Sequence, residues 1–397
     1  MSTHAPDAPS ASSREFAFVC ACLARHDAHA VPMPQLDDER VAAIARRHQV
    51  MPLVVAGYRR TGTVVPSALA KRHDPVAPFR LAREAIRLRA LLEAEGIEPL
   101  FLKGSALAML AYGSLDARQF GDIDLLVRPS EAAHAATLLG AAGYRLSESP
   151  VGDLEAEDLA ARDLGARIAR LLPLAKDIAL THRDTRHVVE LHWRMTDNPH
   201  ERPPRDHGGV QMVEITPGTA LPTLEGEALF AYLCAHGAAH LWARLRWLGD
   251  VAALLANADD GGERLWIAAV ARGQERAAAS AILLAHRFLD TPLPPGFAPR
   301  RSLRQRLLVA AAAHVITAGG GTTDLAHTRW RGWAEMGAKL LLASDLGDLR
   351  GWSTRLLFSV PAGEHVGPSR LWYVTHPLQR IPKLLKRRRL RRDRRVR

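Results

Sequence analysis

The chain has 397 residues, which is too many for one ordinary hydrophobic core and predicts two domains, or one domain with a large helical extension. Apolar residues make up 47% of the chain and aromatic residues 6%, which supports a globular fold with more helix than sheet. Residues 380–397 carry +10 of the formal net charge of +11, so this charge does not mark the body of the protein as a nucleic-acid-binding surface.

The N-terminal part of the chain predicts a tail followed by helices. Residues 1–13 are rich in Ala, Ser and Pro and lack the basic and apolar segments of a secretory signal, so we expect a disordered tail. Apolar residues recur at helical spacing over residues 14–94, which predicts a helical lead-in. Three cysteines are too few for a disulfide framework, and we find no apolar run of about 18 residues that could cross a membrane. These features favour a cytoplasmic location.

Residues 95–200 contain the strand-like segments and predict the core of the protein. The expected elements, in order, are a strand at 99–103, a turn at Gly104–Ser105, a helix at 106–112, a strand at 122–127, a helix at 131–142 capped by Ser130, a helical insert as far as residue 172, and a hairpin of strands at 177–182 and 187–193.

Beyond the hairpin the chain predicts a boundary and then helices. Residues 197–222 are rich in Pro, Gly and charged residues, so we expect a loop there. The 3.6-residue period then predicts a helical domain over residues 224–360, and a basic tail occupies residues 376–397. Its predicted helices lie near 224–257, 263–289, 301–318 and 330–345. The predicted fold class is α+β: a small mixed sheet flanked by helices, with a largely α-helical C-terminal region.

Two acidic residues at the start of a predicted strand form the first candidate site. Side chains of a strand alternate between its faces, so Asp122 and Asp124 project from the same side, about 7 Å apart along the backbone. Ile123, Leu125 and Val127 then point into the core. Two carboxylates this close repel each other unless a cation neutralises them, and Mg²⁺ prefers such oxygen ligands. The pair therefore predicts a Mg²⁺ site.

The turn Gly104–Ser105 follows a predicted strand and begins a helix, which predicts a phosphate-binding element. Backbone N–H groups, a hydroxyl and the helix dipole favour an anion there, and glycine lets the backbone approach it closely. Lys103 and Arg118 are candidates to neutralise the remaining phosphate charge. Simpler alternatives are a surface position for Lys103 and an ion pair of Arg118 with Asp116.

A third carboxylate, Glu190, lies on the second strand of the predicted hairpin. Alternation places Glu190 and His192 on one face, while Val189, Leu191 and Trp193 face the core. Three carboxylates from two strands would complete a two-metal site, with the ions about 3.5–4 Å apart. His192 is consistent both with contact to a metal ligand or acceptor and with a structural role.

Two stretches of the chain resemble a known family. The string LKGSALAMLAYGSLDARQFGDIDLLV, followed by VVELHWR, is similar to the uncharacterised nucleotidyltransferase family within the polymerase β-like nucleotidyltransferase superfamily. This resemblance covers about residues 95–195, and HGAAHLWARLRWLGDVAALL at residues 236–255 resembles the family's helical part. The resemblance implies a nucleotidyltransferase-type sheet in the catalytic core at residues 95–200.

The same resemblance implies a role for each matching residue. Gly104 and Ser105 match the phosphate-binding turn, and the later acids match the metal ligands of the superfamily, at positions Asp122, Asp124 and Glu190. One departure is that Glu190 stands where Asp is more usual.

The implied activity is a Mg²⁺-dependent transfer of a nucleoside monophosphate from a nucleoside triphosphate to an acceptor hydroxyl, with release of pyrophosphate. Two Mg²⁺ ions are expected. The acceptor stays open: a protein side chain, an RNA end, a sugar or a small molecule.

The sequence is also consistent with two other functions. The chain could be a catalytically silent nucleotide-binding regulatory module, or an RNA-associated protein that acts through its basic tail, where weak contact with nucleic acid or anionic lipid is expected. His236 and His240 have the spacing of helical zinc ligands. Zinc is not predicted, because Gly237 stands where a His-Glu-x-x-His site has its glutamate.

Overall fold

The computed structural model describes residues 11–24, 36–70, 74–147, 161–172, 175–195, 209–324 and 331–343. These residues fall into two units, one formed by the described residues up to Leu126 and from Gly209 to Ala343, and the other by those from Val127 to Met195. The predicted basic tail, and the N-terminal tail as far as residue 10, lie outside the described residues. No helix in the described part of the chain is both long and apolar enough to span a membrane.

The described residues of the segment predicted as a helical lead-in form five helices. They are α1 (Ala11–Leu23), α2 (Asp38–His48), α3 (Met51–Arg60), α4 (Ser67–Ala70) and α5 (Ala77–Glu93). Helix α1 begins inside the segment predicted as a tail. Asp37 caps α2, because its carboxylate accepts a hydrogen bond from the Arg40 amide at 3.1 Å. Gln49 ends α2 in the left-handed conformation, with φ 57°.

The first unit contains two paired strands near the segment that carries the first candidate site. Strand β1 (Leu100–Phe101) leads into helix α6 (Gly104–Tyr112), which ends at Gly113 as predicted, and a short 3-10 helix precedes β2 (Asp122–Leu126). The two strands are antiparallel, with Leu100 opposite Leu126. Leucine and isoleucine side chains of β2 are buried, which explains why this segment is a strand.

The second unit contains the predicted hairpin. Its elements are α7 (Ala132–Ala141), β3 (Tyr144–Leu146), α8 (Ala161–Leu171), β4 (Asp177–His182) and β5 (Val188–His192). Strands β3, β4 and β5 pair antiparallel, in the order β5-β4-β3. The predicted cap at Ser130 is wrong: Glu131 precedes α7, and its carboxylate accepts a hydrogen bond from the Arg128 amide.

A second hairpin occupies part of the segment predicted as a loop. Strands β6 (Val210–Thr216) and β7 (Thr219–Leu224) pair antiparallel, so the prediction of a loop is wrong from residue 210 onward. Within this hairpin, Gly218 lies in the tight turn, with φ 76°, and Pro222 lies within β7. Val213 and Ile215 alternate with exposed residues, which is the strand signal that the composition concealed.

Helices make up the C-terminal part of the first unit, as predicted. They are α9 (Gly226–Ala239), α10 (Leu245–Ala256), α11 (Glu263–Ala271), α12 (Glu275–Leu289), α13 (Leu303–Thr317) and α14 (Arg331–Leu342). The long helix expected near 224–257 is broken, because Leu241 and Trp242 adopt positive φ angles of 52° and 51°. The turn folds the Trp242 ring against Gly237, where a Cβ atom would come within 2.3 Å of the ring. The predicted α+β fold class, with a small sheet and a helical C-terminal region, is confirmed.

Candidate functional site

A small cleft in the first unit gathers the residues that the sequence singled out in this part of the chain. Residues that line it include Lys103, Gly104, Ser105, Phe120, Asp122 and Asp124. One cleft therefore contains the Gly104–Ser105 turn, the two acids of β2 and Lys103, which is one of the two cations predicted to bind phosphate.

The antiparallel register of β1 and β2 explains this arrangement. Phe101 lies opposite Leu125, and the Leu102 amide donates a hydrogen bond to the Asp124 carbonyl at 3.1 Å. Continuing this register brings the beginning of α6 beside the beginning of β2. A Cβ atom on Gly104 would indeed lie 3.7 Å from the Asp122 carbonyl oxygen.

The carboxylate of Asp124 is buried and already faces a positive charge. Its side chain is 2% exposed, and Oδ1 lies 2.8 Å from Nζ of Lys103, which is 10% exposed. Asp122, two residues closer to the loop, is only half-buried. A buried carboxylate requires a nearby positive charge, and the Lys103 ammonium supplies it in the structure.

Helix α6 presents its N-terminus to the cleft. Gly104 has φ 60°, a conformation that side chains other than glycine rarely adopt, and it lets the chain turn from β1 directly into the helix. Ser105, in the first turn, is 5% exposed. The first amides of a helix have no partner within the helix and carry the positive end of its dipole. This end of the cleft suits an anion.

Arg118, the other predicted phosphate contact, lies in a buried ion pair. Its Nε and Nη2 atoms donate to the two oxygens of Asp250, each at 2.9 Å, and both side chains are 1% exposed. Tyr112 also donates to Asp250, at 3.2 Å. Burial opposes the charge of Arg118, but the Asp250 carboxylate outweighs it and holds the pKa of Arg118 above its usual value. Sequence reasoning offered Asp116 as the partner of Arg118 and missed Asp250.

Arg246 is a basic residue near the cleft that the sequence did not single out. It lies one helical turn before Asp250 on α10, and its Nη1 atom donates to the Gln119 carbonyl at 2.6 Å. Burial, followed by the charge of Arg118, lowers the pKa of Arg246 to about 10. The only available signal was the four-residue spacing of Arg246 and Asp250 within the family-like stretch at residues 236–255.

In the second unit, β5 carries Glu190 and His192 as predicted. Val189, Leu191 and Trp193 are buried, which confirms the expected alternation. Glu190 is 36% exposed and lies opposite Ala179, while His192 is almost fully buried. Nε2 of His192 lies 3.5 Å from Oε2 of Glu190.

His192 also contacts the neighbouring strand β4. Its Nδ1 atom lies 3.4 Å from Oδ2 of Asp177, which in turn contacts the Lys176 ammonium. The alternation along β5 therefore places a carboxylate and an imidazole side by side, on the face of the strand opposite to its buried apolar residues.

The two histidines of the C-terminal helices form part of a ring cluster. The ring centroids of His236 and His240 are 5.0 Å apart, and Trp247 packs against both. Nδ1 of His240 lies 3.2 Å from Oε1 of Glu335. Neither histidine belongs to a set of three described side chains close enough to share one ion.

A family model matches most of the chain. The model of a family described as an uncharacterised nucleotidyltransferase matches residues 34–290, about two thirds of the chain. The match includes the cleft, strand β5 and helix α10. A search of curated proteins finds no match.

Proposed function

The chain belongs to the uncharacterised nucleotidyltransferase family, and from that premise we propose that it transfers a nucleoside monophosphate from a nucleoside triphosphate to an acceptor hydroxyl. The observation that carries the proposal is the cleft in which the N-terminus of α6, at Gly104 and Ser105, faces Asp122 and Asp124. One side of this cleft suits phosphate and the other suits cations. A metal-bound triphosphate needs both.

The proposed metal ligands are Asp122, Asp124 and Glu190. Asp122 and Asp124 line the cleft, and in the second unit Glu190 lies beside His192 on β5, which supports a role for these carboxylates as ligands. Oxygen ligands favour Mg²⁺, whose charge offsets that of the phosphates and of the leaving pyrophosphate. In this proposal the carboxylates fix the position at which the donor binds.

The proposed phosphate ligands are Gly104, Ser105 and Lys103. Glycine allows the backbone to approach the β- and γ-phosphates, and the first amides of α6 donate to their oxygens. Lys103, which neutralises Asp124 in the structure, would contact the phosphates once another cation takes its place. The acceptor oxygen then forms a bond to the α-phosphorus while the bond from that phosphorus to the leaving pyrophosphate oxygen breaks. Catalysis consists mainly of positioning and charge neutralisation.

The test removes the two acids of β2 together, as Asp122→Asn with Asp124→Asn. Asn keeps the shape of each side chain but removes its charge, so Mg²⁺-dependent binding of a nucleoside triphosphate should be lost while the fold remains. Isothermal calorimetry with and without Mg²⁺ measures the binding, and circular dichroism checks the fold. Asp116→Asn, at an exposed position in the preceding loop, is the matched control and should bind as the wild type does. Unchanged binding by the double variant would refute the proposal.

A second measurement separates an enzyme from a silent nucleotide-binding module. Wild-type protein is incubated with labelled nucleoside triphosphates and a cell extract, and release of pyrophosphate is followed together with the appearance of label on an acceptor. Transfer that disappears in the double variant supports the enzyme. Binding without any release of pyrophosphate would instead favour the silent module.

A further inference from the structure

Helix α10 holds the loop before β2 at two adjacent points. Asp250 binds Arg118, and Arg246, one turn earlier, donates to the carbonyl of Gln119. The next residue of the loop, Phe120, lines the cleft. The guanidinium of Arg246 is therefore fixed close to the cleft wall by a helix from a distant part of the sequence.

The charges of the two arginines are compensated differently. Both oxygens of Asp250 accept hydrogen bonds from Arg118, so this pair is neutral as a unit. Within the described residues, no carboxylate lies within ion-pair distance of Arg246. Its Nε atom is buried and has no hydrogen-bond partner there. Arg246 thus has both a charge and a donor to offer a ligand.

The charges around Arg246 are consistent with its location near the cleft. Burial and the charge of Arg118 disfavour its protonated form, while the carboxylates of Asp250, Asp122 and Asp124 favour it. The guanidinium therefore lies within the electrostatic influence of the two acids on β2. A cation next to the proposed metal ligands would repel divalent ions unless an anion also binds.

We propose that Arg246 binds the triphosphate of the donor nucleotide, and that the Arg118–Asp250 pair holds the loop against which Arg246 rests. This inference rests on the proposed function and names the arginine of its phosphate site. The planar guanidinium, with several donors in a fixed geometry, matches phosphate oxygens. Arg246 thereby takes the phosphate-binding role that the sequence suggested for Arg118.

Removal of Arg246 should change two affinities in opposite directions. Triphosphate binding should weaken, because a charge-assisted hydrogen bond is lost. Binding of a divalent ion alone should become tighter or stay the same, because a positive charge beside Asp122 and Asp124 is gone. A residue that only supported the loop would weaken both affinities when removed, since the acids would lose their position.

The experiment measures both affinities in the full chain for Arg246→Gln. The probes are Mn²⁺ alone, tripolyphosphate with Mg²⁺, and ATP and AMP with Mg²⁺, all by calorimetry. We expect tripolyphosphate and ATP to bind about 10- to 100-fold more weakly, AMP to change little, and Mn²⁺ not to weaken. Arg246→Lys keeps the charge without the planar fork and should give a smaller loss. This variant also tests the proposal if Arg246→Gln fails to fold.

The matched control is Arg244→Gln, two residues away. Arg244 pairs with Asp324 at 2.6 Å, and its removal takes the same charge from the same region without touching the loop before β2. Its affinity for tripolyphosphate should equal that of the wild type. An equal loss in both variants would show a nonspecific charge effect and overturn the proposal.

The remaining outcomes are equally decisive. If the wild type binds ATP and tripolyphosphate but Arg246→Gln binds them unchanged, or loses Mn²⁺ binding in parallel, the inference about Arg246 fails alone. If the wild type binds neither ATP nor tripolyphosphate, the proposed function fails and this inference fails with it.

Discussion

Removal of Asp250 should destabilise the first unit strongly, because it leaves the Arg118 guanidinium charged and buried. Both side chains are 1% exposed, and Asp250 accepts two hydrogen bonds at 2.9 Å from Arg118 and one from Tyr112. Breaking a buried pair by removing one partner costs about 3–5 kcal/mol. For a body of 150–250 residues this corresponds to a fall in Tm of about 6–20 °C. We therefore expect Asp250→Ala to melt well below the wild type.

The assay is thermal and urea unfolding followed by tryptophan fluorescence. Glu93→Ala is the control, because Glu93 pairs with Arg89 on the surface of α5, and the loss of such a pair should not shift the transition measurably. The double variant Arg118→Met with Asp250→Leu removes both charges and should cost less than Asp250→Ala alone. The reasoning is refuted if Asp250→Ala unfolds like the control, or if the double variant is the less stable of the two.

Two further predictions concern pH and backbone conformation. Burial, and then the charge of Arg47, hold the pKa of His48 well below 6.5, and its Nδ1 atom accepts the Leu245 amide at 3.1 Å. The unfolded chain therefore binds more protons below pH 6.5, so the free energy of unfolding should fall by up to about 1.4 kcal/mol per pH unit below that value. His48→Gln should remove this slope in urea unfolding at several pH values; an unchanged slope contradicts the assignment. Gly104→Ala has room for its methyl group but a φ of 60°, so it should cost about 1–2 kcal/mol and weaken nucleotide binding. Gly62→Ala, with φ 67° and open space, should cost the same without affecting binding; equal binding by both variants would contradict a role for Gly104.

Local patterns were sufficient to predict the individual parts of the cleft. The alternation of Asp122, Ile123 and Asp124 identified the strand and the face that carries its acids, since the side-chain period of a strand depends only on the backbone. Gly113 marked the end of α6 for a similar reason, because it adopts the left-handed conformation. Such features depend on neighbours within a few residues.

Features that depend on distant partners were missed. Arg118 and Asp250 are separated by 132 positions, and nothing in the sequence near Arg118 indicates that its charge is already neutralised. The hairpin β6–β7 was hidden because Pro and Gly dominated the composition of its surroundings, although Val213 and Ile215 alternate with polar residues. Whether Glu190 acts as a metal ligand stays a prediction.

The charges along the cleft give a physical reason why metal and nucleotide should bind together. Lys103 lies beside Asp124, the charges of Asp122 and Asp124 favour the protonated form of Arg246, and the Arg118–Asp250 pair adds no net charge. A divalent ion alone would leave an excess of positive charge, and a triphosphate alone would leave an excess of negative charge, both in a partly desolvated site where such an excess is costly. When both bind, the ions face the acids and the phosphates face the basic side chains and the N-terminus of α6. The arrangement therefore favours the metal–triphosphate complex over either component alone, a preference that suits an enzyme whose donor is a metal-bound nucleotide.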